Sequence, residues 1–229
     1  METTYTIKIK RRKDADSPPY WQNFMFSGDN NLTVSDLLDR LNFTDDLFDA
    51  NGNAAPRIRW ECSCQQGVCG ACAMVICGVP ALACKTKLSV AKHNVLVLEP
   101  LSKFPVVCDL CVDRSAISDF VIENKLWLTD DAVHTKALLP LQYAAAKCMK
   151  CGLCLEVCPN TAMNSKSTGA CFAAEYFLNK TLDSNPTAQK QVNKGFRRTF
   201  AANCSKSLSC AAVCPAGIDL KRIITLMNR

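Results

Sequence analysis

The sequence predicts an α+β protein with a strand-rich N-terminal part and a mostly helical C-terminal part. Polar and apolar residues alternate with period two over residues 4–10, which is typical of a half-buried strand. Beyond residue 105 apolar residues recur at helical spacing and strand-like runs fade. The 16 cysteines are clustered, with separate groups in the two parts of the chain. We therefore expect two domains, residues 1–105 and residues 106–229.

The N-terminal domain is predicted to combine a hairpin, one helix and several short strands. Residues 4–10 and Tyr20–Phe26 form the hairpin, with turn residues between them. The helix is predicted at Thr33–Leu41, where apolar residues recur at helical spacing and Thr33 or Ser35 is available as the N-cap. The later strands are predicted at Arg57–Trp60, Ala73–Ile76, Pro80–Ala83 and Val95–Leu98. This order fits a β-grasp fold with a cysteine loop between strands.

The C-terminal domain is predicted to be helical around its cysteine groups. Helical spacing of apolar residues covers three segments, Ser115–Leu128, Ala170–Leu178 and Asp219–Met227. We expect Ile117, Phe120, Val121 and Leu128 on the buried face of the first of these helices.

Composition excludes several classes of protein. Residues 1–13 lack the apolar segment of a secretory signal, so we expect a reducing compartment in which clustered cysteines bind metal rather than form disulfides. No run of 18 or more apolar residues is present, so no membrane span is expected. The formal charge of +6 is spread along the chain, and nucleic-acid binding is not supported.

The first cysteine group has the spacing of a plant-type 2Fe–2S site. Cys64, Cys69 and Cys72 follow the pattern C-x4-C-x2-C, and Cys84 comes after a longer gap. Gly67 lacks a Cβ atom, as does Gly70, which lets backbone amides turn towards the cluster. A zinc site with four thiolates is the alternative, but zinc sites favour paired C-x2-C knuckles.

The second group has the spacing of a bacterial ferredoxin. Cys148, Cys151, Cys154 and Cys158–Pro159 follow the pattern C-x2-C-x2-C-x3-C-P. In that pattern three thiolates hold one cubane and the fourth cysteine binds a different cluster. We expect Cys214 to complete the first cubane.

A third cluster is predicted from a serine at a ligand position. The segment Cys204–Pro215 repeats the ferredoxin spacing with Ser207 where a cysteine is expected. Serine is much harder to deprotonate than cysteine and rarely competes with a thiolate. Cys158, Cys204 and Cys210 are therefore expected to hold a 3Fe–4S cluster.

These motifs resemble the iron–sulfur subunit of the succinate dehydrogenase/fumarate reductase family. The resemblance extends over nearly the whole chain, and its main motifs are residues 64–74, Ala81–Cys84, Cys148–Pro159 and Cys204–Pro215. It implies an α+β protein with a plant-type ferredoxin domain followed by a bacterial-ferredoxin-like helical domain. It also implies a subunit of an oxidoreductase, without catalytic residues of its own, that passes electrons between an FAD-containing flavoprotein and a membrane anchor with quinone. Its location would be cytoplasmic, on the inner face of the membrane through these partners.

An alternative electron donor follows from two departures from that family. Members that meet quinone often carry a tryptophan shortly after the first Cys-Pro and a histidine after the first cysteine of the second run. Neither occurs here, after Pro159 or after Cys204. The alternative is the iron–sulfur subunit of a soluble flavoprotein reductase with a thiol or ferredoxin donor. A zinc-stabilised interaction module is a third hypothesis, which explains neither the plant-type spacing nor Ser207.

Five cysteines are left outside the predicted ligand sets. They are Cys62, Cys77, Cys108, Cys111 and Cys171. The pair Cys108 and Cys111 has the spacing of a metal knuckle or redox dithiol, but we interpret both as small buried apolar residues.

Overall fold

The N-terminal half of the chain folds around a five-stranded sheet. The computed structural model describes residues 2–133, 135–161 and 169–228, and it divides into two compact units, Met1–Asp113 and Arg114–Arg229. The strands of the first unit are β1 (Glu2–Arg11), β2 (Tyr20–Asp29), β3 (Leu47–Phe48), β4 (Ala54–Ala55), β5 (Ala73–Ile76), β6 (Val79–Leu82), β7 (Val95–Glu99), β8 (Val106–Cys108) and β9 (Cys111–Val112). Its helix is α1 (Val34–Asn42), and 3-10 turns cover Ala83–Lys85 and Leu88–Val90.

The sheet has the strand order β2-β1-β7-β5-β6. β1 pairs with β2 antiparallel and with β7 parallel, so the hairpin is joined to the later strands through β1. β5 pairs antiparallel with β6 and with β7. The predicted period two is observed along β1, where Tyr5, Ile7 and Ile9 are buried. These residues supply one face of the sheet to the core.

The predicted α1 helix begins with a complete capping box. The Thr33 side chain accepts a hydrogen bond from the backbone of Asp36, and the Asp36 carboxylate accepts one from the backbone of Thr33. Two backbone donors at the helix start, those of Thr33 and Asp36, are therefore satisfied. The helix buries Val34, Leu37 and Leu38 completely, in agreement with the predicted apolar stripe.

The predicted strand at Arg57–Trp60 is wrong, because side chains take the place of a neighbouring strand. The backbone N–H of Ile58 donates to Asn42 Oδ1 at 2.8 Å, and the N–H of Arg59 donates to Asp109 Oδ2 at 2.9 Å. The segment therefore runs without a sheet partner to the first cysteine group. Its backbone hydrogen bonds are made largely by side chains, with one further bond from the Leu110 N–H to the Arg59 carbonyl at 3.1 Å.

A buried ion pair holds the β8–β9 turn to the end of β1. Arg11 donates to both carboxylate oxygens of Asp109, from Nε at 3.1 Å and from Nη2 at 2.8 Å. The backbone N–H of Arg12 donates to the same carboxylate. Residues 106–113 accordingly belong to the first unit, whereas the sequence pattern predicts them in the second domain.

The second unit is helical. Its helices are α2 (Ser115–Glu123), α3 (Leu139–Ala146), α4 (Leu153–Glu156), α5 (Ala170–Leu182), α6 (Pro186–Phe196), α7 (Ser209–Ala212) and α8 (Leu220–Met227), and a π-helical turn covers Arg197–Ala201. The helix predicted to reach Leu128 ends at Glu123, where the Asn124 side chain donates to the Phe120 carbonyl. Ile117 is buried on its inner face, and Phe120 and Val121 are half-buried. The predicted burial of Leu128 is wrong, because this residue lies beyond the end of the helix and is exposed.

Helix α5 lies at the centre of this unit. It contacts α3, α4, α6 and α8, and its first ten residues are mostly buried. Aromatic contacts continue the core, with ring centroids 4.0 Å apart for Phe120 and Phe172 and 5.8 Å apart for Tyr176 and Phe196. Within the described ranges, no helix is long and apolar enough to span a bilayer. The α+β fold class is as predicted.

Candidate metal centres

The structure brings the first predicted ligand set together in two pairs. Cys64 and Cys69 lie on the loop before β5, and the two thiols are hydrogen bonded to each other. Cys72 lies at the end of this loop and Cys84 on the 3-10 turn after β6, with their sulfurs 3.4 Å apart. Cys72 and Cys84 are buried, whereas Cys64 and Cys69 are half-buried. The Cys72–Cys84 pair therefore lies in the core, and the Cys64–Cys69 pair lies in the partly exposed loop.

Backbone amides of the loop converge on the Cys64 sulfur. The N–H groups of Gln66 and Val68 donate to Cys64 Sγ at 3.3 Å and 3.4 Å. These two bonds, with a further one from Cys69, lower the pKa of the Cys64 thiol to about 6. Burial and the contact with Cys72 instead raise the pKa of Cys84 to about 11. Such amide donors towards sulfur suit an anionic iron–sulfur cluster, because they stabilise its negative charge.

Gly67 allows the loop to turn beneath a lysine side chain. Its φ is +77°, a conformation that residues with a Cβ atom rarely adopt. A Cβ atom there would lie 2.7 Å from Lys85 Cδ and 2.8 Å from Lys85 Cγ. The absence of a side chain therefore serves both the turn and the close approach of Lys85.

All four cysteines of the predicted 4Fe–4S site line one cavity in the second unit. Cys148 and Cys151 lie before α4, Cys154 lies on α4, and Cys214 follows α7. The empty volume of the cavity is about 320 Å³, and Gly152, Pro215 and Ile218 complete its walls. Burial raises the pKa of Cys148 to about 11 and that of Cys151 to about 12. Cys148 and Cys151, which ionise with difficulty alone, fit a cationic iron core, because such a core stabilises the thiolates.

The predicted 3Fe–4S ligands line a separate cavity. Cys158, Cys204 and Cys210 surround an empty volume of about 370 Å³, and Ser207 lies in the same wall. Burial and the neighbouring sulfurs raise the pKa of Cys210 to about 11. The Ser207 hydroxyl accepts a hydrogen bond from the Ser209 hydroxyl at 3.4 Å. Three thiols and one hydroxyl therefore share this cavity.

The arrangement differs from a site for one metal ion. Among the described residues, no three cysteine, histidine or acidic side chains converge at the spacing required to ligate a single ion. In an iron–sulfur cluster the cysteines are divided among two or more iron atoms, so they are distributed around a larger volume.

Sequence reasoning missed a fifth cysteine at the 4Fe–4S cavity. Cys171, in the first turn of α5, is 4% exposed, lines this cavity and is hydrogen bonded to Cys154. Cys171 does not lie at a characteristic ligand interval from the other cysteines in the sequence. It reaches the cavity because α5 packs against residues 148–152, the cluster loop. Cys108 and Cys111 also lie outside the predicted ligand sets. Cys108 is buried and Cys111 is half-buried, and the two thiols are hydrogen bonded across the β8–β9 hairpin.

Comparison with known proteins identifies two domain families in the chain. Residues 6–119 match the family described as the 2Fe-2S iron-sulfur cluster binding domain. Residues 142–164 match the 4Fe-4S binding domain. The two matches contain the first cysteine group and the ferredoxin run, respectively.

Curated relatives cover the whole chain. The succinate dehydrogenase iron-sulfur subunit of Bacillus subtilis is 32% identical over 240 residues, which include 100% of this chain and 92% of that protein. The fumarate reductase iron-sulfur subunit of Haemophilus influenzae is 27% identical over 92% of this chain and 86% of its own length. A subunit of the fumarate reductase (CoM/CoB) of Methanothermobacter marburgensis is 27% identical over 93% of this chain, which spans 41% of that protein.

A solved structure shares the fold. A chain of the Mycobacterium smegmatis Sdh1 complex in the apo form superposes with a TM-score of 0.75, at 22% identity, over 100% of this chain and 96% of that one. This confirms the predicted fold, and the resemblance inferred from the sequence is confirmed by the relatives. The chain therefore belongs to the family of iron–sulfur subunits of succinate dehydrogenase and fumarate reductase, which are parts of oxidoreductase complexes.

Proposed function

We propose that this subunit binds three different iron–sulfur clusters through eleven cysteines. The 2Fe–2S ligands are Cys64, Cys69, Cys72 and Cys84, the 4Fe–4S ligands are Cys148, Cys151, Cys154 and Cys214, and the 3Fe–4S ligands are Cys158, Cys204 and Cys210. The observation that carries the proposal is the division of the C-terminal cysteines between two cavities. One cavity is lined by four predicted ligands and the other by three, with Ser207 in the fourth place.

The chain's own residues hold and insulate the clusters rather than act on a substrate. When bound, the clusters supply one-electron transfer. The backbone amides of Gln66 and Val68 stabilise the charge on a ligand sulfur, and the apolar walls of the two C-terminal cavities limit access of water. No acid–base or nucleophilic role is assigned to any side chain.

The proposed electron route joins a flavoprotein to a membrane anchor. The relatives are iron–sulfur subunits of succinate dehydrogenases and fumarate reductases, which supports an FAD-containing partner that binds the dicarboxylate. At the other end, an anchor subunit exchanges electrons with quinone and holds this chain at the inner face of the membrane. Succinate and fumarate are interconverted on the flavoprotein.

A second candidate function replaces quinone with a thiol donor. It is favoured by the similarity to the fumarate reductase (CoM/CoB) chain and by the missing tryptophan and histidine. In that case the complex is soluble, and thiols reduce the clusters. The electron donor separates the two candidates, so the purified complex is assayed for fumarate reduction with a quinol and with a pair of low-molecular-weight thiols. Turnover with the quinol alone supports the first candidate, and turnover with the thiols alone supports the second.

The cluster assignment is tested by EPR spectroscopy with iron analysis. We expect about nine irons per chain, an oxidised-state signal from the 3Fe–4S cluster and a reduced-state signal from the 2Fe–2S cluster. The chain is purified anaerobically and measured at low temperature, first oxidised and then reduced. About ten irons without the oxidised-state signal would overturn the 3Fe–4S assignment, since a fourth ligand would then be present. Zinc in place of iron would overturn the whole assignment.

A further inference from the structure

The 4Fe–4S cavity contains one more cysteine than a cubane needs. Cys148, Cys151, Cys154 and Cys214 already provide the four thiolates that such a cluster takes. Cys171 lines the same cavity from the first turn of α5 and is 4% exposed. A fifth thiol beside four ligands is not needed for ligation, and its S–H group can donate a hydrogen bond.

Two donors of Cys171 reach the same ligand sulfur. Its thiol S–H and its backbone N–H both donate to Cys154 Sγ. The backbone N–H groups of Cys154 and Leu155 donate to this sulfur as well. The Cys171 thiol is a side-chain donor, so a substitution removes it while the backbone donors remain.

The position of α5 relative to the cluster loop is fixed by charge as well as by packing. Lys150, between two of the ligands, pairs with Glu175 one turn along α5, with Nζ 2.9 Å from Oε1. The first N–H groups of a helix have no partner within the helix, and Cys171 supplies one of them. Its bond to Cys154 therefore directs the positive end of the α5 dipole at the ligand sulfur.

We propose that the Cys171 thiol raises the reduction potential of the 4Fe–4S cluster through its hydrogen bond to Cys154. Reduction adds an electron, and the added negative charge spreads onto the ligand sulfurs. A donor at a sulfur stabilises the reduced state more than the oxidised state, so it makes reduction easier. Cys171 is thus a positioning and tuning residue rather than a ligand. This inference rests on the ligand assignment proposed above.

The test compares Cys171→Ala and Cys171→Ser in the anaerobically purified, cluster-loaded full chain. A redox titration follows the EPR signal of the reduced 4Fe–4S cluster. At the wild-type midpoint potential, we expect the ratio of reduced to oxidised cluster in Cys171→Ala to fall several-fold. A tenfold fall corresponds to about 59 mV for a one-electron couple. Cys171→Ser retains a donor of nearly the same size, and its ratio is expected to stay within about twofold of wild type.

Controls separate tuning from a structural effect. The 2Fe–2S cluster lies in the other unit, so its potential is expected to stay unchanged in both variants. An unchanged 4Fe–4S potential in Cys171→Ala would overturn the proposal. Equal shifts in Cys171→Ala and Cys171→Ser would also overturn it, because packing rather than a donor would then be responsible.

Iron analysis separates tuning from ligation. Loss of about four irons per chain in Cys171→Ala, but not in Cys154→Ala, would make Cys171 the ligand and overturn the proposal. A wild-type chain without a 4Fe–4S signal would show, before any substitution is made, that the ligand assignment itself has failed. Retention of iron with a lowered potential is the result expected.

Discussion

Asp109→Asn tests whether the buried ion pair stabilises the unit that carries the first cysteine group. Asp109 is 3% exposed and Arg11 is 2% exposed. The Asp109 carboxylate accepts four N–H donors, two from Arg11 and one each from the backbones of Arg12 and Arg59. Asparagine keeps the shape and tolerates the φ of +40° at this position. It removes the charge and also replaces one acceptor oxygen by an NH2 group, which faces two N–H donors.

The expected loss follows from the partners that Arg11 retains. Breaking a buried ion pair by removing one partner costs about 3–5 kcal/mol, because the remaining charge is left buried. Arg11 keeps hydrogen bonds to Gln22 Oε1 and to the carbonyls of Pro56 and Arg57, all between 2.9 and 3.0 Å. These bonds offset part of the loss, whereas the asparagine NH2 group leaves two N–H donors without an acceptor, so we expect a loss of about 4 kcal/mol. At a slope of about 1.5 kcal/mol per M, the urea midpoint falls by about 2.7 M.

The assay is urea unfolding of the cluster-loaded chain. The visible circular dichroism of the 2Fe–2S cluster monitors unfolding of the first unit. The matched control is Glu99→Gln, which breaks the partly exposed Lys10–Glu99 ion pair, with Lys10 Nζ 3.3 Å from Glu99 Oε2. An ion pair near the surface contributes about 0–1 kcal/mol to the free energy of unfolding. The urea midpoint of Glu99→Gln is therefore expected to fall by less than about 0.7 M. Equal falls of the urea midpoint in Asp109→Asn and Glu99→Gln would refute the conclusion that the buried ion pair stabilises the first unit.

Three further outcomes are expected at the cysteine groups. Ser207→Cys provides a fourth thiolate, so iron rises to about ten per chain and the oxidised 3Fe–4S signal disappears; a persisting signal would contradict this. Gly67→Ala combines a φ of +77° with a clash at 2.7 Å, whereas Gly78→Ala has a φ of +80° and nothing within 4 Å. Only Gly67→Ala is therefore expected to lose 2Fe–2S absorbance, and equal losses would point to backbone strain alone. In the iron-free chain the Cys64 pKa of about 6 leaves a thiolate at pH 7, while Cys84, at about 11, stays protonated. Iodoacetamide should therefore modify Cys64 first, at a rate that falls as the pH drops through 6, and mass spectrometry that finds equal rates would contradict the geometry.

The sequence predicted the elements whose patterns are local. Period-two alternation located β1 and β2, and the apolar spacing and capping residues located α1. Helix α6 was missed although its signals are local too. Asn185 caps it and Pro186 occupies its first turn, while Ala188, Val192 and Phe196 are spaced four residues apart on its buried face.

Contacts between distant residues could not be predicted from the sequence. The segment Arg57–Trp60 looked like a strand, but Asn42 and Asp109 take up its backbone donors from 16 and 50 residues away. The same long-range ion pair holds residues 106–113 in the first unit. No pattern within a short window reports such partners, because they depend on which side chains the fold brings together.

The cysteine spacings, together with Ser207, predicted the three ligand sets without the structure, because most of the predicted ligands stand at short and characteristic intervals along the chain. Tertiary structure alone decided what surrounds them. It divides the C-terminal cysteines between two cavities and packs α5 against the cluster loop, which brings Cys171 to the Cys154 sulfur from 17 residues away in the sequence. The reason is that ligation follows from the chemistry of residues close in sequence, whereas hydrogen bonds to a ligand sulfur depend on which elements pack beside it.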